Sequence, residues 1–439
     1  MKKILSIVVL FATASLYAQD FDTAPTVQVS ANDAKFTIGA RLMADYAFYA
    51  TDFTPLKSGA AINDARIRTS LTYNDWYFYG DFDFADGKFH QKNLFLQRTL
   101  SENHRIKAGY YTELSSMSLN TSRYSYHFMS RSIAANALAT SRSLGISYLY
   151  TDDALTLQQG LFAENRYNDQ PAGFQGGSLS GRWLFRPIHG EDQILHIGLS
   201  ARYAWLNTGH VDNLGILETG QTVGAAFETS VDQTTQFLSA DLPWAKNVFT
   251  LSGEALFHND KFFARGEYIY KSITKDRDDE PYFLANLGGN DPWFQPGWTN
   301  AHPLRTNAFS GAYVELGYLL NGDGYRYSKE DGVLSGNKNK SLEVVLRYSF
   351  VNLNDLNPDV DEFYLIGQDR FRPEEITDYP ALSSSVAGGC VNAATLGLNY
   401  TFNKFAQVML EYNFSNLDNK RYPLDKNFHT VQTRVMFSF

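Results

Sequence analysis

The sequence is short of charged residues and almost without cysteine. Only 19 % of its 439 residues are Asp, Glu, Lys or Arg, against about 25 % in soluble domains. The one cysteine, Cys390, cannot form an intramolecular disulfide, and no potential metal ligands lie beside it in the sequence. We interpret it as an incidental loop residue. A fold stapled by disulfides is excluded.

Long apolar runs are missing as well. Beyond the N-terminus, no run approaches the roughly 18 to 20 residues that a membrane-spanning helix needs, which excludes a helical membrane protein. The first residues have the layout of a secretory signal, with Lys2 and Lys3, an apolar stretch from Ile4 to Leu16 and a small residue at Ala18. We predict cleavage after Ala18, so that residues 1–18 are a signal peptide and residues 19–34 a short periplasmic segment. A buried N-terminal helix is the alternative.

Excess positive charge is absent too. The net charge is −9, and removal of Lys2 and Lys3 with the signal lowers it to −11. This argues against a nucleic-acid partner, which would favour a basic surface. No cofactor motif, phosphate-binding loop or metal cluster is found, so we predict neither cofactor nor metal. None of the nine histidines lies in a hydrolase or metalloprotease motif. An enzyme is therefore a distant alternative, and His196 is interpreted as a solvated or hydrogen-bonded bystander and not as a general base.

What the sequence does contain is aromatic residues and alternation. Tyr, Phe and Trp make up 15 % of the chain. Apolar and polar residues alternate over Phe36–Phe48, Leu195–Trp205 and Leu342–Phe350, close to the 9 to 11 residues of a tilted transmembrane strand. A soluble β-sandwich would also alternate. Charges on the polar faces and aromatic residues near the ends of the apolar faces favour a membrane barrel with a wet lumen and interfacial girdles.

The predicted connections alternate between short and long. Short periplasmic turns and long outer loops are typical of outer-membrane barrels. The predicted short turns are Asn74-Asp75, Asp152-Asp153, Asn259-Asp260 and Asn403-Lys404, and the long segments are Glu113–Arg142, Ser272–Phe309 and Asn352–Asn392. By the same alternation of sides, Asn321–Lys340 would be an unusually long periplasmic turn.

We therefore predict an all-β fold, a transmembrane antiparallel barrel over residues 35–439. It has 16 strands, or 18 if the weak pair Val223–Thr229 and Phe237–Leu242 joins, and either number leaves room for an aqueous channel. A barrel with a filled interior is the alternative, against which stand inner-face glycines expected to leave space: Gly39, Gly109, Gly145, Gly198, Gly317 and Gly397. The last strand ends on the aromatic Phe439, which resembles the signal read by the outer-membrane insertion machinery.

Several motifs together resemble the phosphate-selective porin O and P family over nearly the whole mature chain. They are Ala65–Arg68 with Trp76–Phe84, Ile106–Tyr111, Arg142–Tyr148, Leu195–Ser200, Gly322–Tyr327, Leu346–Asp355 and Gly397–Asn403. The resemblance implies a sixteen-stranded, homotrimeric porin of the Gram-negative outer membrane whose third outer loop folds inward. Here that constriction would be Glu113–Arg142, with a short helix at Ile133–Ala139. A loop packed on the rim is the alternative.

Family members that select phosphate line the channel with basic side chains, because fixed cations replace the hydration of an anion. The candidates here are Arg41, Arg66, Arg68, Lys107, Arg123, Arg131 and Arg142. Acids are predicted on the same face, at Asp45, Asp81, Asp83, Glu113, Glu315, Glu343 and Glu411, so the alternative is that these charges pair and only keep the lumen wet. The predicted function is passive diffusion of small polar solutes, with anion or phosphate selectivity. A general or carbohydrate-admitting porin is the alternative, with loop aromatics Trp293, Phe294 and Trp298 as possible sugar contacts.

Overall fold

The alternating segments of the sequence become the strands of one closed antiparallel sheet. In the computed structural model, sixteen strands each pair with their neighbours along the chain, and the last pairs with the first. The barrel strands are β2 (Ala34–Ala50), β3 (Gly59–Tyr73), β4 (Trp76–Asp83), β5 (His90–Ser101), β6 (His104–Thr112), β7 (Arg142–Thr151), β8 (Leu155–Ala163), β9 (Gly177–His189), β10 (Gln193–Trp205), β13 (Ala245–Asn259), β14 (Phe262–Lys275), β15 (Asn307–Asn321), β18 (Ser341–Asp355), β19 (Val386–Asn403), β20 (Ala406–Asp418) and β21 (Asn427–Ser438).

The structure describes residues 26–31, 33–51, 56–164, 176–190, 192–206, 220–243, 245–275, 306–336, 339–355, 386–418 and 426–439. The predicted signal peptide and the loop aromatics Trp293, Phe294 and Trp298 lie outside these residues. Within the predicted N-terminal segment, β1 (Val27–Ala31) pairs with the start of β2, from Val27 opposite Ile38 to Ala31 opposite Ala34. No helix within the described residues is long and apolar enough to cross a membrane.

Burial along the barrel strands is inverted relative to a soluble protein. On β2 the apolar Leu42, Tyr46 and Phe48 are 41 to 52 % exposed, whereas Arg41 and Asp45 are 3 % exposed. Because successive side chains of a strand point to opposite faces, the apolar set faces outward and the charged set faces the lumen. Such an apolar outer surface requires a hydrocarbon environment, as in a transmembrane barrel.

Two-residue turns explain where the strands reverse. The seam, where the last strand β21 pairs with the first strand β2, closes the barrel. Asn74 and Asp260 take positive φ values of 50° and 44° in the tight turns β3–β4 and β13–β14, a conformation that Asn and Asp tolerate better than other side chains. At the seam, Ala40 and Phe439 exchange two backbone hydrogen bonds of 2.7 and 3.0 Å. The C-terminal aromatic residue therefore helps to close the barrel.

Three segments fold into the lumen. The first is the constriction loop between β6 and β7, Glu113–Arg142. The second is the inner segment, residues 220–243, which contains the hairpin β11 (Gly220–Ala225) and β12 (Leu238–Pro243). The third is described over residues 322–336, after β15, and contains β16 (Arg326–Ser328) and β17 (Val333–Ser335). We call this third segment the long periplasmic turn, after the side of the membrane predicted for it. Because β11 pairs with β12 alone, the alternative count of 18 barrel strands is wrong and the count of 16 is confirmed.

The apolar core of the protein lies inside the barrel rather than around it. Side chains of the constriction loop and inner segment pack against the inner wall of β13–β15 and β18–β21, forming a buried cluster that includes Ile133, Leu138, Phe227, Phe237 and Phe428. Burial of apolar surface stabilises both segments against this wall. They therefore fill one side of the lumen.

Five of the six inner-face glycines do not leave open space, contrary to the sequence-based expectation: Gly109, Gly145, Gly198, Gly317 and Gly397. A Cβ on Gly145 would lie 2.3 Å from the ring of Phe162, and one on Gly317 would lie 2.0 Å from the ring of Phe263. Side chains of neighbouring strands pack over these glycines. Glycine at these positions therefore makes room for an aromatic ring against the barrel wall and does not widen the channel.

Candidate functional site: the constriction of the lumen

The constriction loop is built from short helical turns whose first residues are capped by serine. It contains α1 (Met117–Asn120), a 3-10 turn at Arg123–Ser125 and α2 (Ile133–Leu138). The side chains of Ser116 and Ser132 accept hydrogen bonds from the backbone N–H groups of Leu119 and Ala135, as serine N-caps do. The predicted lumen helix at Ile133–Ala139 is thereby confirmed at α2.

Carboxylates of the opposite wall hold the loop across the lumen. The Ser116 hydroxyl donates to Glu267 at 2.9 Å, and the Met129 backbone N–H donates to Glu411 at 2.5 Å. The ring of His127 lies 2.7 Å from Glu343. These contacts join the loop, which begins at the end of β6, to the wall strands β14, β18 and β20. The loop therefore spans the barrel and does not rest on its rim.

Glu228 of the inner segment ties the loop and the wall together. It receives hydrogen bonds from Arg347 on β18 at 2.6 and 2.9 Å, from the backbone N–H of Ile133 at 2.9 Å and from Thr395 at 3.0 Å. Both members of the Glu228–Arg347 ion pair are fully buried. No local sequence pattern identified Glu228, because its partners are over 90 residues away along the chain.

Most of the acids predicted on the lumen face form ion pairs with basic residues inside the barrel. Asp45 accepts two hydrogen bonds from Arg434, its partner in the β2–β21 register, at 2.6 and 2.8 Å. Glu315 pairs with Arg265, its register partner on β14, at 2.6 Å. The acids predicted on the lumen face (Asp45, Asp81, Asp83, Glu113, Glu315, Glu343 and Glu411) are all at most 6 % exposed.

Three of the seven predicted pore-lining cations lie in this buried network. Arg41 donates to both oxygens of Asp64 at 2.8 and 3.1 Å. Arg66 lies 2.8 Å from Asp64 and from Asp81. Arg68 is 3 % exposed and lies opposite Asp81 in the strand register. Sequence reasoning missed Asp64, although it shares the two-residue period of Arg66 and Arg68.

Three other predicted cations keep contact with water around the constriction loop. The Arg123 guanidinium donates to the carbonyl of Asn63 at 2.9 Å, and its side chain is 28 % exposed. Arg142 donates to the Asn93 side chain at 2.7 Å. Arg131 lies over the ring of Tyr126, 5.4 Å from its centroid. Arg131 and Arg142 are both partly exposed, and Arg142 interacts electrostatically with Arg131 and with Arg66.

A further cation, Lys92, belongs to the same region and was missed. It lies at the point where the β4–β5 register shifts, between Gln91 and Asn93, and such a bulge re-aims a side chain against the simple alternation. Lys92 lies 3.4 Å from Asp83, and its side chain is 28 % exposed. The water-accessible basic set is therefore Lys92, Arg123, Arg131 and Arg142, which we call the basic cluster.

Lys107 lies deeper in the lumen, on an aromatic patch. Its amino group is 4.8 Å from the ring centroid of Phe95 and 5.3 Å from that of Tyr111. Both rings belong to a buried cluster with Tyr79 and Phe162. Contact of a cation with ring faces fixes its position without neutralising its charge. Lys107 is partly exposed, so it remains available to a passing ion.

A closed sixteen-stranded barrel with an apolar outer face, a charged lumen and an inward loop defines an outer-membrane porin. A family model, Phosphate-selective porin O and P, matches residues 36–439. The chain belongs to the phosphate-selective porin O and P family.

Solved porins share the fold at low sequence identity. The chain is similar to the anion-selective porin from Comamonas acidovorans, with 9 % identity, a TM-score of 0.54 and coverage of 92 % of this chain and 100 % of that one. Outer-membrane expressed OmpT of Vibrio cholerae gives 12 % identity, a TM-score of 0.52 and coverage of 94 and 100 %. An uncharacterized protein of Caulobacter vibrioides is 26 % identical over 243 residues, which are 52 % of this chain but only 42 % of that relative.

Proposed function

We propose that this outer-membrane porin is selective for anions and favours inorganic phosphate, with the basic cluster and Lys107 as its selective residues. One observation carries the proposal. Among the predicted lumen charges that the structure describes, the acids are buried in the wall, while Lys107, Arg123, Arg131 and Arg142 keep contact with water. An ion in the constriction would meet positive charge, which attracts anions and repels cations.

Arginine in the basic cluster favours oxyanions over halides. The guanidinium group offers planar paired donors that match two oxygens of phosphate, whereas an ammonium group acts as a point charge. Membership of the family and the fold shared with an anion-selective porin support the same assignment. We propose further that the channel is a homotrimer exported by cleavage after Ala18, and that it transports solutes and catalyses no reaction.

Charge-neutral variants test the selectivity. Arg123→Gln with Arg131→Gln should lower the anion-to-cation permeability ratio, measured as the reversal potential of single channels in a KCl gradient. A matched control is Arg98→Gln with Lys88→Gln, because both side chains are exposed outside the lumen and the charge change is the same. Unchanged reversal potentials in the first variant would overturn the assignment of these two arginines.

Lysine variants separate attraction of anions from recognition of phosphate. Arg123→Lys with Arg131→Lys keeps the charge but removes the paired donors, so the reversal potential in KCl should persist while block of chloride current by phosphate weakens. Equal phosphate block in both proteins would contradict a role for guanidinium geometry.

A further inference from the structure

The long periplasmic turn carries two acids into the part of the lumen that contains Lys107. Its backbone is held against the wall by donors from two strands. The Thr156 hydroxyl donates to the carbonyl of Lys329 at 2.8 Å, the Gln158 side chain donates to that of Glu330 at 3.1 Å, and Arg182 donates to that of Gly332 at 3.0 Å. These bonds involve the backbone of the turn and fix its tip independently of its acidic side chains.

The acidic side chains at this tip face basic residues of β6. Glu330 lies 3.2 Å from Arg105. Lys107 interacts electrostatically with both Glu330 and Asp331, and all three are partly exposed. The basic groups that interact with the two acids are Arg105 and Lys107 on β6 and Arg182 on β9.

We propose that Glu330 and Asp331 are specificity-determining residues of the channel, an acidic exit step that limits how tightly an anion is held at Lys107. Conduction requires a site that attracts the ion yet releases it. The basic cluster supplies the attraction at the constriction loop, and the acidic pair supplies repulsion beyond it. This inference rests on the proposed anion selectivity. It adds the residues that allow an anion, once attracted by the basic side chains, to be released.

Neutralising the pair should make the channel more anion-selective and slower to release phosphate. Glu330→Gln with Asp331→Asn keeps the backbone anchors of the turn and removes two charges beside Lys107. We expect the anion-to-cation permeability ratio to rise at least about twofold, the scale of removing a nearby charge in a partly screened lumen. We also expect the phosphate concentration that half-blocks chloride current to fall.

A matched control carries the same charge change on the same side of the membrane. Glu102→Gln with Asp75→Asn removes two acids from exposed periplasmic turns outside the lumen, and its reversal potential should equal that of the wild type. A shift in the control as large as in the lumen variant would overturn the inference, since it would reflect surface charge alone. Retained heat-modifiable mobility in gels establishes that each variant folds.

A coupling measurement ties the effect to Lys107. With Lys107→Gln in place, neutralising Glu330 and Asp331 should change phosphate block less than it does in the wild type, because the site that they act on is gone. Additive effects would overturn the proposed link. A wild-type channel without anion preference would overturn the proposed function instead, and absence of a shift on neutralising the acidic pair would overturn this inference whatever the wild-type preference.

Discussion

Loss of the Glu228 carboxylate should destabilise the barrel more than any exposed charge change. Glu228→Gln leaves the buried Arg347 guanidinium short of its closest counterion, although Glu315 still lies 3.4 Å away. Removing one partner of a buried ion pair costs about 3 to 5 kcal/mol. For a chain of this size, the entropy of unfolding converts that cost to a fall of about 3 to 5 °C in the unfolding midpoint.

The assay is thermal loss of β-sheet circular dichroism in detergent, with Glu102→Gln as the exposed control. The double variant Glu228→Gln with Arg347→Met should recover much of the loss, because no buried charge is then left unpaired. A midpoint for Glu228→Gln equal to that of the control would refute the reasoning, and so would a double variant that is less stable than the single one.

Three further predictions concern pH, assembly and export. Loss of hydration inside the barrel and then the neighbouring Glu330 raise the pKa of Asp331 to about 7. A fall in pH through that value should protonate the carboxylate and shift the reversal potential in the direction of higher anion selectivity. This shift should be absent from the variant with Glu330→Gln and Asp331→Asn. Phe439→Ala should reduce the heat-modifiable, membrane-assembled fraction, and full assembly would contradict a role for the terminal aromatic. The mass of the protein purified from outer membranes should correspond to a chain starting at Gln19; an intact signal would refute cleavage after Ala18.

The positions of the strands followed from the sequence because a transmembrane strand shows its two environments as a two-residue period. Their number stayed at 16 or 18 in the sequence, and the separate pairing of β11 with β12 decides for 16. The period failed where the sheet is irregular. On β3, Ile62 and Asp64 have the same parity, yet Ile62 is 52 % exposed and Asp64 is 0 % exposed, because the register shifts between them opposite Met43 and Ala44. In the sequence this bulge shows only as two adjacent polar residues, Asn63 and Asp64, which interrupt the alternation.

Contacts inside the lumen were beyond sequence reasoning for a different reason. The sequence predicts a long turn at Asn321–Lys340, and the structure has a long connection there between β15 and β18. The length of this turn alone did not indicate that it folds inward. Glu228 and Glu330 gain their roles from partners on distant strands, which closure of the barrel brings together. The predicted cations could not be sorted from the sequence for the same reason. Arg41 is buried in an ion pair because the fold places Asp64 beside it, whereas Arg142 keeps contact with water.

The most direct test is the reversal potential of single wild-type channels in a planar bilayer with a KCl gradient, followed by addition of inorganic phosphate. If the water-exposed charge at the constriction loop is basic, chloride carries most of the current and phosphate reduces it at concentrations well below that of chloride. A reversal potential with the sign of a cation channel, together with current that is insensitive to phosphate, would contradict the account.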